Sequence, residues 1–487
     1  MRCLLLPVLA SLLGLASPAS AGDGDKIAFL NVDVVDVASG QIIDGRTVLV
    51  EDGLIASIGD KDTALPPDAR RIDATGKFLA PGLADMHTHT WYEDVQLPLD
   101  LAFGVTTIRE MWGTQSTLDA RKKIESGEML GPRIVTAGAI VDGDPPIWPG
   151  SAVLADPLKA RELVAEQKAA GYDFIKTYDE LSPEAFAALV EAAREAGMPI
   201  AGHIPLAVPI ADAAKAGMKS FEHIGAKYES EILRPEIDRK MMNWRSERFD
   251  LGAQLLAGTL SLDAIYDWDK VRSFARTMVA AGVAATPTLA VDFGFLQTAS
   301  EKEARLQRPS SRFSSEKMRA NWREDRWMKE LGWDDITIAR LAAFLAGTQR
   351  IAAILYEEGV LILAGTDTGN PFMVHGYSIH EELEELRDAG LGNLGAIRAA
   401  TINPAKFLGE EGQWGEVRLG ARADLVLLAA NPLDDVSNYY RIDGVVARGH
   451  WLDASEIARM REDGRKAYAA IPPDPPAEEA PKEEAKD

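Results

Sequence analysis

Cysteine is almost absent from this chain of 487 residues, and the only one is Cys3. It lies in an N-terminal segment with the features of a signal peptide, so the mature chain would have no thiol. This excludes disulfide bonds, thiolate metal sites and a cysteine nucleophile. A metal ion bound by this protein would need nitrogen and oxygen ligands.

Positive charge is also scarce, with 52 Lys and Arg against 75 Asp and Glu and a net charge of −23. Nucleic acids and anionic membranes bind through concentrated Lys and Arg, so neither is an expected partner. Part of the acidic excess lies in the Pro-rich tail of residues 472–487, which is expected to be disordered after a helical end from residue 461. A small-molecule substrate is the partner expected instead, and a homo-oligomer stays open.

One conspicuous hydrophobic run stands at the N-terminus. Residues 3–16 are apolar, follow Arg2 and precede Ala19-Ser20-Ala21. This order is typical of a secretory signal peptide, here residues 1–21 with cleavage near Ala21. The run is shorter than the about 20 residues that cross a bilayer. We expect a periplasmic or secreted protein without a stable membrane anchor, and an uncut anchor is the alternative.

What the chain does contain is a series of metal-binding side chains at the ends of short apolar segments typical of buried strands. The members are His87, His89, Lys176, His203, His223 and Asp367. Eight strands are predicted, over residues 79–87, 105–111, 133–140, 173–178, 198–204, 219–224, 283–289 and 361–367. Strands that alternate with helices and end in functional residues are typical of an α/β fold, the TIM-type (β/α)8 barrel, whose site lies at the C-terminal ends of its strands.

Both chain ends have β-strand patterns and flank this region. We expect a small β-sandwich domain built from residues 22–78 and 411–460, beside a barrel over residues 79–410. Two long connections, near 229–270 and 291–345, are predicted lid insertions over the site. Extra helices on the outside are the alternative, in which Trp322, Trp327 and Trp333 would belong to a core.

The types of side chain in the series indicate hydrolytic metal chemistry. His87 and His89 point to the same side, because side chains alternate along a strand, and two neutral imidazoles suit a zinc-like ion. His203 and His223 end later strands at the same level. Asp367 ends the last strand, where a carboxylate beside a metal ion can take a proton from water.

These segments resemble the amidohydrolase superfamily, most closely the branch of imidazolonepropionase-like proteins, Xaa-Pro and related metallodipeptidases, and ochratoxinase. The matching motifs are Pro81-Gly82-Leu83-Ala84-Asp85-Met86-His87-Thr88-His89, Gly202-His203, Glu222-His223, Gly365-Thr366-Asp367, Ala400-Thr401-x-Asn403-Pro404-Ala405 and Gly420-x-x-Ala423-Asp424-Leu425. The resemblance covers residues 26–455 and implies a barrel fused to a β-sandwich made of both termini.

The resemblance also implies the metal ligands. In the resembled dipeptidases the lysine that matches Lys176 is carboxylated and bridges two metal ions. It therefore implies two divalent ions, zinc being expected, with His87, His89 and Asp367 on one and His203 and His223 on the other. A single-metal enzyme with Lys176 bound elsewhere is the alternative.

The resulting prediction is an exported binuclear amidohydrolase that cleaves an amide bond, in a dipeptide or N-acyl amino acid, by attack of metal-bound hydroxide. Asp367 and Tyr228 are the predicted catalytic residues, Tyr228 as a donor to the oxyanion. His375 and Arg109 are predicted to bind substrate. Leu206 stands where deaminases of the superfamily usually have Glu, which argues against deamination. A lactone, carbamate or phosphotriester hydrolase and a non-catalytic scaffold are the alternatives.

Overall fold

A computed structural model describes residues 26–238, 244–324, 328–329 and 331–471. The predicted signal peptide, Trp327 and the acidic tail lie outside the described residues. The strands are β1 (Ile27–Asp36), β2 (Gln41–Glu51), β3 (Leu54–Gly59), β4 (Arg70–Asp73), β5 (Phe78–Pro81), β6 (Leu83–Thr88), β7 (Val105–Glu110), β8 (Arg133–Thr136), β9 (Val141–Asp142), β10 (Ala152–Val153), β11 (Ile175–Thr177), β12 (Ile200–Gly202), β13 (Ser220–Glu222), β14 (Ala284–Thr286), β15 (Leu425–Leu428), β16 (Ile442–Ala447) and β17 (His450–Asp453).

Helices separate most of the strands in the central region. They are α1 (Glu93–Ala102), α2 (Gln115–Glu125), α3 (Ala160–Ala170), α4 (Pro183–Ala196), α5 (Ile210–Ala216), α6 (Ala226–Glu231), α7 (Pro235–Asp238), α8 (Trp244–Leu256), α9 (Leu262–Ile265), α10 (Trp268–Ala281), α11 (Leu289–Phe295), α12 (Ala299–Leu306), α13 (Glu316–Glu324), α14 (Asp335–Ala342), α15 (Leu345–Glu357), α16 (Ser378–Leu386), α17 (Gly392–Ala399), α18 (Ile402–Phe407) and α19 (Ala454–Ala470).

Local sequence explains where the helices begin and end. Ser182 caps α4 by accepting a hydrogen bond from the Ala185 backbone N–H, and Pro183 follows at the first helical position. Gly171 and Gly197 end α3 and α4 in the left-handed conformation, with φ of 97° and 68°. These signals fix the lengths of the helices, and with them the points at which the next strands begin.

Strands from both chain ends share one sheet. Its order is β17-β16-β15-β5-β1-β2-β3, and β4 pairs with β1 as well. β15, from the C-terminal part, pairs antiparallel with β5, from the N-terminal part. The expected sandwich is thus a single mixed sheet of eight strands among the described residues.

The parallel strands form two ladders. One contains β6, β7 and β8, and the other contains β9 to β14 in the order β10-β9-β11-β12-β13-β14. Single parallel bridges extend them, Ala137 with Phe174, Ala285 with Ile362, and Thr88 with Thr368. A closed barrel of continuously paired strands is therefore not present in the part of the chain that the structure describes.

The predicted eighth strand, residues 361–367, is corrected to an extended segment with isolated bridges. Asp367 at its end has a φ of 54°, which turns the chain out of strand geometry. The segment still runs beside β6, since the Asp367 backbone N–H donates to the His87 carbonyl at 2.8 Å. The pairing places Asp367 next to the first two histidines.

The second predicted insertion contributes buried aromatic side chains to a hydrophobic cluster. Phe313 is buried and its ring lies edge-on to Phe103 at 5.3 Å. Trp322 is also buried and lies 5.2 Å from Phe372, in the loop that follows Asp367. By length and composition alone, the helical stretch Asp335–Glu357 could cross a membrane, and half of its apolar window is buried inside the fold.

Candidate metal centre

Four histidines from three strand ends meet at one edge of the parallel core, with His87 and His89 both at the end of β6. The His87 ring centre lies 5.4 Å from that of His89 and 4.7 Å from that of His223. The His203 ring centre is also 4.7 Å from that of His223. The structure thus brings together the imidazoles that the sequence pattern singled out.

Asp367 lies among these rings. Its Oδ1 is 3.2 Å from His89 Nε2 and 3.4 Å from His87 Nε2, and its Oδ2 is 3.8 Å from His223 Nε2. Ligand atoms of His87, His223 and Asp367 all lie within 4.8 Å of one another. Two imidazole nitrogens and a carboxylate oxygen form a donor set that suits zinc and similar divalent ions.

The pKa values of Asp367, His223 and His89 indicate that this site favours binding of a positive charge. Burial raises the pKa of Asp367, but the nearby His223, His89 and Lys176 outweigh it and lower that pKa to about 2. Burial lowers the pKa of His223 to about 3, which leaves a neutral imidazole. For His89, burial is outweighed by Asp367 and Glu110, which raise its pKa to about 9. The carboxylates thus attract a positive charge beside His89, which a divalent cation could supply instead of a proton.

Lys176 projects into the same centre from β11. Its side chain is almost fully buried, and Nζ lies 3.5 Å from His87 Nε2. Burial lowers the pKa of Lys176 to about 8, because an ammonium group is poorly solvated there. A minority of this amine is therefore neutral near physiological pH, a larger share than in an ordinary lysine.

His87, His203 and His223 each have a hydrogen-bond partner at Nδ1, the ring nitrogen that points away from the centre. The Nδ1 atoms of His87 and His203 lie 3.0 Å from Glu222 Oε2 and 2.9 Å from Asp179 Oδ1. Thr288 Oγ1 donates to the Pro287 carbonyl, so it can accept from His223 Nδ1 at 2.7 Å. Such bonds fix the orientation of the ring and leave the lone pair of Nε2 free to bind a metal ion, as they do in metal-binding histidines.

Arg109 has a different position from the one expected of a substrate-binding residue. It is 1% exposed, and Nη2 donates to Glu222 Oε1 at 2.7 Å while Nη1 donates to Ser220 Oγ at 2.8 Å. Its Nε donates to the Met86 carbonyl at 2.6 Å. This corrects the prediction: Arg109 lies beneath the centre and holds Glu222, which in turn holds His87.

Tyr228 and His375 also do not have the contacts that their predicted roles require. Tyr228 is fully buried on α6, and its hydroxyl donates to Met278 Sδ at 3.4 Å. His375 is 2% exposed; its Nε2 donates to the His89 carbonyl at 3.1 Å, and its Nδ1 lies 3.4 Å from Asp100 Oδ2. Their contacts are with the protein, so Tyr228 offers no oxyanion donor, and His375 supports the backbone of His89.

The sequence pattern missed the residues that orient the ligands. Glu222 and Asp179 each adjoin a predicted strand end, but neither matches a metal-ligand spacing. Thr288 lies 65 positions beyond His223, and a local pattern cannot reveal such a contact. Acidic residues beside ligand-bearing strand ends were the available signal for the first two.

Comparison with known proteins agrees with this geometry. The profile described as "Amidohydrolase family" matches residues 78–452. Among solved structures, bottromycin amidohydrolase is 28% identical with a TM-score of 0.69, over 91% of this chain and 90% of that chain. A Xaa-Pro dipeptidase with bound methionine is 21% identical with a TM-score of 0.62, over 88% of this chain and 100% of that chain. At that identity the likeness shows the fold alone.

Curated relatives match over short segments. The dihydroorotase of Syntrophus aciditrophicus (strain SB) is 43% identical over 65 residues, which is 13% of this chain and 15% of that protein. The L-hydantoinase of Paenarthrobacter aurescens is 36% identical over 113 residues, 20% of this chain and 24% of that protein. The chain therefore spans less than a quarter of the length of these two relatives.

The superfamily resemblance inferred from the motifs is confirmed, because the family profile covers most of the chain and includes all the converging ligands. The structure contains both features that the resemblance implied, the converging histidines and aspartate and the small sheet built from both chain ends. The chain belongs to the amidohydrolase family.

Proposed function

We propose that this protein is a metal-dependent hydrolase that cleaves an amide bond, in a dipeptide or an N-acyl amino acid. The observation that carries the proposal is the convergence of His87, His223 and Asp367, whose ligand atoms lie within 4.8 Å of one another. His89, His203 and Lys176 adjoin this group. Family membership supports the same chemistry.

The proposed site holds two divalent ions, with zinc as the expected metal. His87, His89 and Asp367 would hold one ion, His203 and His223 the other, and a carboxylated Lys176 would bridge them. The neutral amine of Lys176 is the form that attacks carbon dioxide, forming an N–C bond and releasing a proton. When bound, the ions supply a Lewis acid for the scissile carbonyl and lower the pKa of a water molecule.

Asp367 is the proposed general base. It is ionised at neutral pH, because its pKa is lowered to about 2 by His223, His89 and Lys176 despite burial. Its Oδ1 lies 3.2 Å from His89 Nε2, so the carboxylate is held among the ligands while it accepts a proton. The same carboxyl group then carries that proton to the leaving amine.

The proposal is tested by assaying the purified, zinc-loaded protein on dipeptides, N-acyl amino acids, a lactone, a carbamate and a phosphotriester. We expect turnover of at least one amide, loss of activity after chelation, and recovery on adding zinc. Turnover confined to the lactone, carbamate or phosphotriester would overturn the assignment to amides. Absence of all turnover would favour a non-catalytic scaffold.

We also propose that the protein is exported to the periplasm or secreted. The support is the basic start, the short apolar run and the Ala-x-Ala site of residues 1–21. Sequencing the N-terminus of the mature protein should give a start near Gly22. An intact Met1 in a cytosolic fraction would contradict export.

A further inference from the structure

An arc of aromatic side chains lies beside the metal centre. Its members are Trp91, Trp112, Trp148 and Tyr178, which we call the aromatic arc. Trp91 is 53% exposed and Trp148 is 45% exposed, although tryptophan is usually well buried. Each member follows a different strand of the core, at the edge where the histidines meet.

The arc begins against the loop that carries Asp367. A Cβ atom on Gly369 would lie 2.9 Å from Trp91 Nε1 and 3.0 Å from the His89 Cβ. The indole of Trp91 therefore packs on this loop directly beside His89. Trp112 continues the arc, since its ring lies edge-on to Trp91 with centres 6.1 Å apart.

The arc ends on a predicted metal ligand. A Cβ atom on Gly150 would lie 3.6 Å from Trp112 Cζ2, which brings the loop of Trp148 against Trp112. Trp148 Nε1 donates a hydrogen bond to Tyr178 Oη at 2.7 Å, and the Tyr178 ring stacks on His203 with centres 4.0 Å apart. The arc thus runs from His89 to His203.

Hydrogen bonds to buried side chains fix the backbone of the loops that carry the exposed indoles. Gln96 Oε1 accepts hydrogen bonds from the backbone N–H groups of Trp91 and Tyr92, both at 2.8 Å. The buried Asp142 carboxylate accepts from the N–H groups of Ile147, at 2.9 Å, and of Glu180, at 2.8 Å. A preformed apolar surface costs little ordering when a ligand covers it.

We propose that the aromatic arc binds an aromatic or large apolar group of the substrate, next to the amide bond that is cleaved. This inference rests on the proposed function and names its substrate class. Exposed, rigid aromatic area beside a polar reaction centre is the usual composition of a ligand site, in which apolar walls bind and a few polar groups orient. Ile147, the residue before Trp148, is also exposed.

The test compares the dipeptides Ala-Ala, Phe-Ala and Ala-Phe on the zinc-loaded protein. We expect kcat/KM for the better phenylalanyl peptide to exceed that for Ala-Ala about tenfold or more, as burial of an aromatic ring allows. Trp148→Ala and Trp91→Ala should each bring this ratio down toward one. The matched control Leu158→Ala, which removes an apolar side chain that is 88% exposed outside the arc, should keep the wild-type ratio.

A binding measurement separates this inference from the proposed function. Isothermal titration of the zinc-loaded Asp367→Asn protein should give tighter binding of the phenylalanyl peptide than of Ala-Ala, and Trp148→Ala in that background should abolish the difference. Such binding without turnover of any dipeptide or N-acyl amino acid by the wild type would overturn the amide hydrolase and keep the arc as a binding surface. Turnover with equal kcat/KM for all three peptides would overturn the arc and keep the hydrolase.

Discussion

The metal centre and the aromatic arc lie at the same edge of the core but are built in opposite ways. In the centre, His87 is fully buried and its Nδ1 is held by Glu222, which Arg109 holds in turn. In the arc, Trp91 and Trp148 are about half exposed. The polar side chains of the centre are hydrogen-bonded to other residues of the chain, whereas the apolar side chains of the arc are open to solvent.

The difference separates the two tasks of a hydrolase. A reaction centre must keep charged groups in place, and buried charges are tolerated only when they are paired and hydrogen-bonded. A surface that selects substrates needs free area, and loops at strand ends can vary it without moving the ligands. Changes to the centre should therefore affect chemistry and folding, and changes to the arc should affect substrate choice.

The largest effect is expected for Asp367→Asn. The amide keeps the shape but cannot accept a proton, so kcat on any amide substrate should fall about 10²–10⁴-fold. Far-ultraviolet circular dichroism should stay unchanged. Asp62→Asn, at an exposed position in the small sheet domain, is the control with normal kcat. Near-normal kcat in Asp367→Asn would mean that the proton leaves by another route.

Arg109→Met tests the support beneath the centre. It leaves the buried Glu222 carboxylate without its positive partner, and breaking a buried ion pair costs about 3–5 kcal/mol of unfolding free energy. Urea titration of metal-free protein measures this loss. The double variant Arg109→Met with Glu222→Gln should be more stable than Arg109→Met alone, because no charge is then left unpaired. Equal stability of the two variants would show that the ion pair is not the cause.

Asp179→Asn tests the support behind His203 and should have a smaller effect. Loss of the carboxylate that orients a metal-binding histidine typically weakens metal affinity about 10–100-fold. Competition with a fluorescent zinc chelator measures that affinity. The neighbouring Glu180 is exposed, so Glu180→Gln should bind zinc like the wild type. An unchanged affinity in Asp179→Asn would show that the Asp179 carboxylate does not support metal binding through His203.

The smallest effect is expected for Trp322→Ala in the second insertion, which we propose acts as a lid. Trp322 packs on Phe372 in the loop after Asp367, so its loss should loosen that loop while the ligands stay held. We expect KM to rise less than about tenfold, a change below about 1.4 kcal/mol, with normal metal content. Loss of metal with unchanged substrate preference would argue against a lid.

The convergence of the candidate metal-binding residues could be predicted because strand geometry is local. Apolar runs mark the strands, and the alternation of side chains puts His87 and His89 on one side. Arg109 could not be placed in this way, because position on a strand does not reveal which distant partner a long side chain reaches. Its partner Glu222 lies 113 positions away. Tyr228 was misjudged for a similar reason, since a residue near a strand end can point away from the site, into the protein interior, on the helix that follows.

Local sequence patterns also predicted the broad organisation of the fold, but not its long-range strand pairing. The β-rich ends and the alternating middle were visible as patterns, but the single mixed sheet depends on the pairing of β5 with β15, far apart in the chain. The aromatic arc depends on contacts among four loops, and isolated tryptophans in a sequence carry no sign of it. Local periodicity thus located most of the strands and the side chains that converge at their ends, whereas long-range packing determined which residues support them.

Metal analysis of the wild type and Lys176→Ala tests the central claim most directly. Elemental analysis should find about two divalent ions per wild-type chain, as in binuclear hydrolases, and Lys176→Ala should lose at least one of them. A short carboxylic acid such as acetate should restore part of the loss, because it can replace the missing carboxylate of the modified lysine. Lys159→Ala, at an exposed lysine, should keep the full metal content. Unchanged metal content in Lys176→Ala would contradict the bridging role, and a single ion per wild-type chain would contradict the binuclear centre.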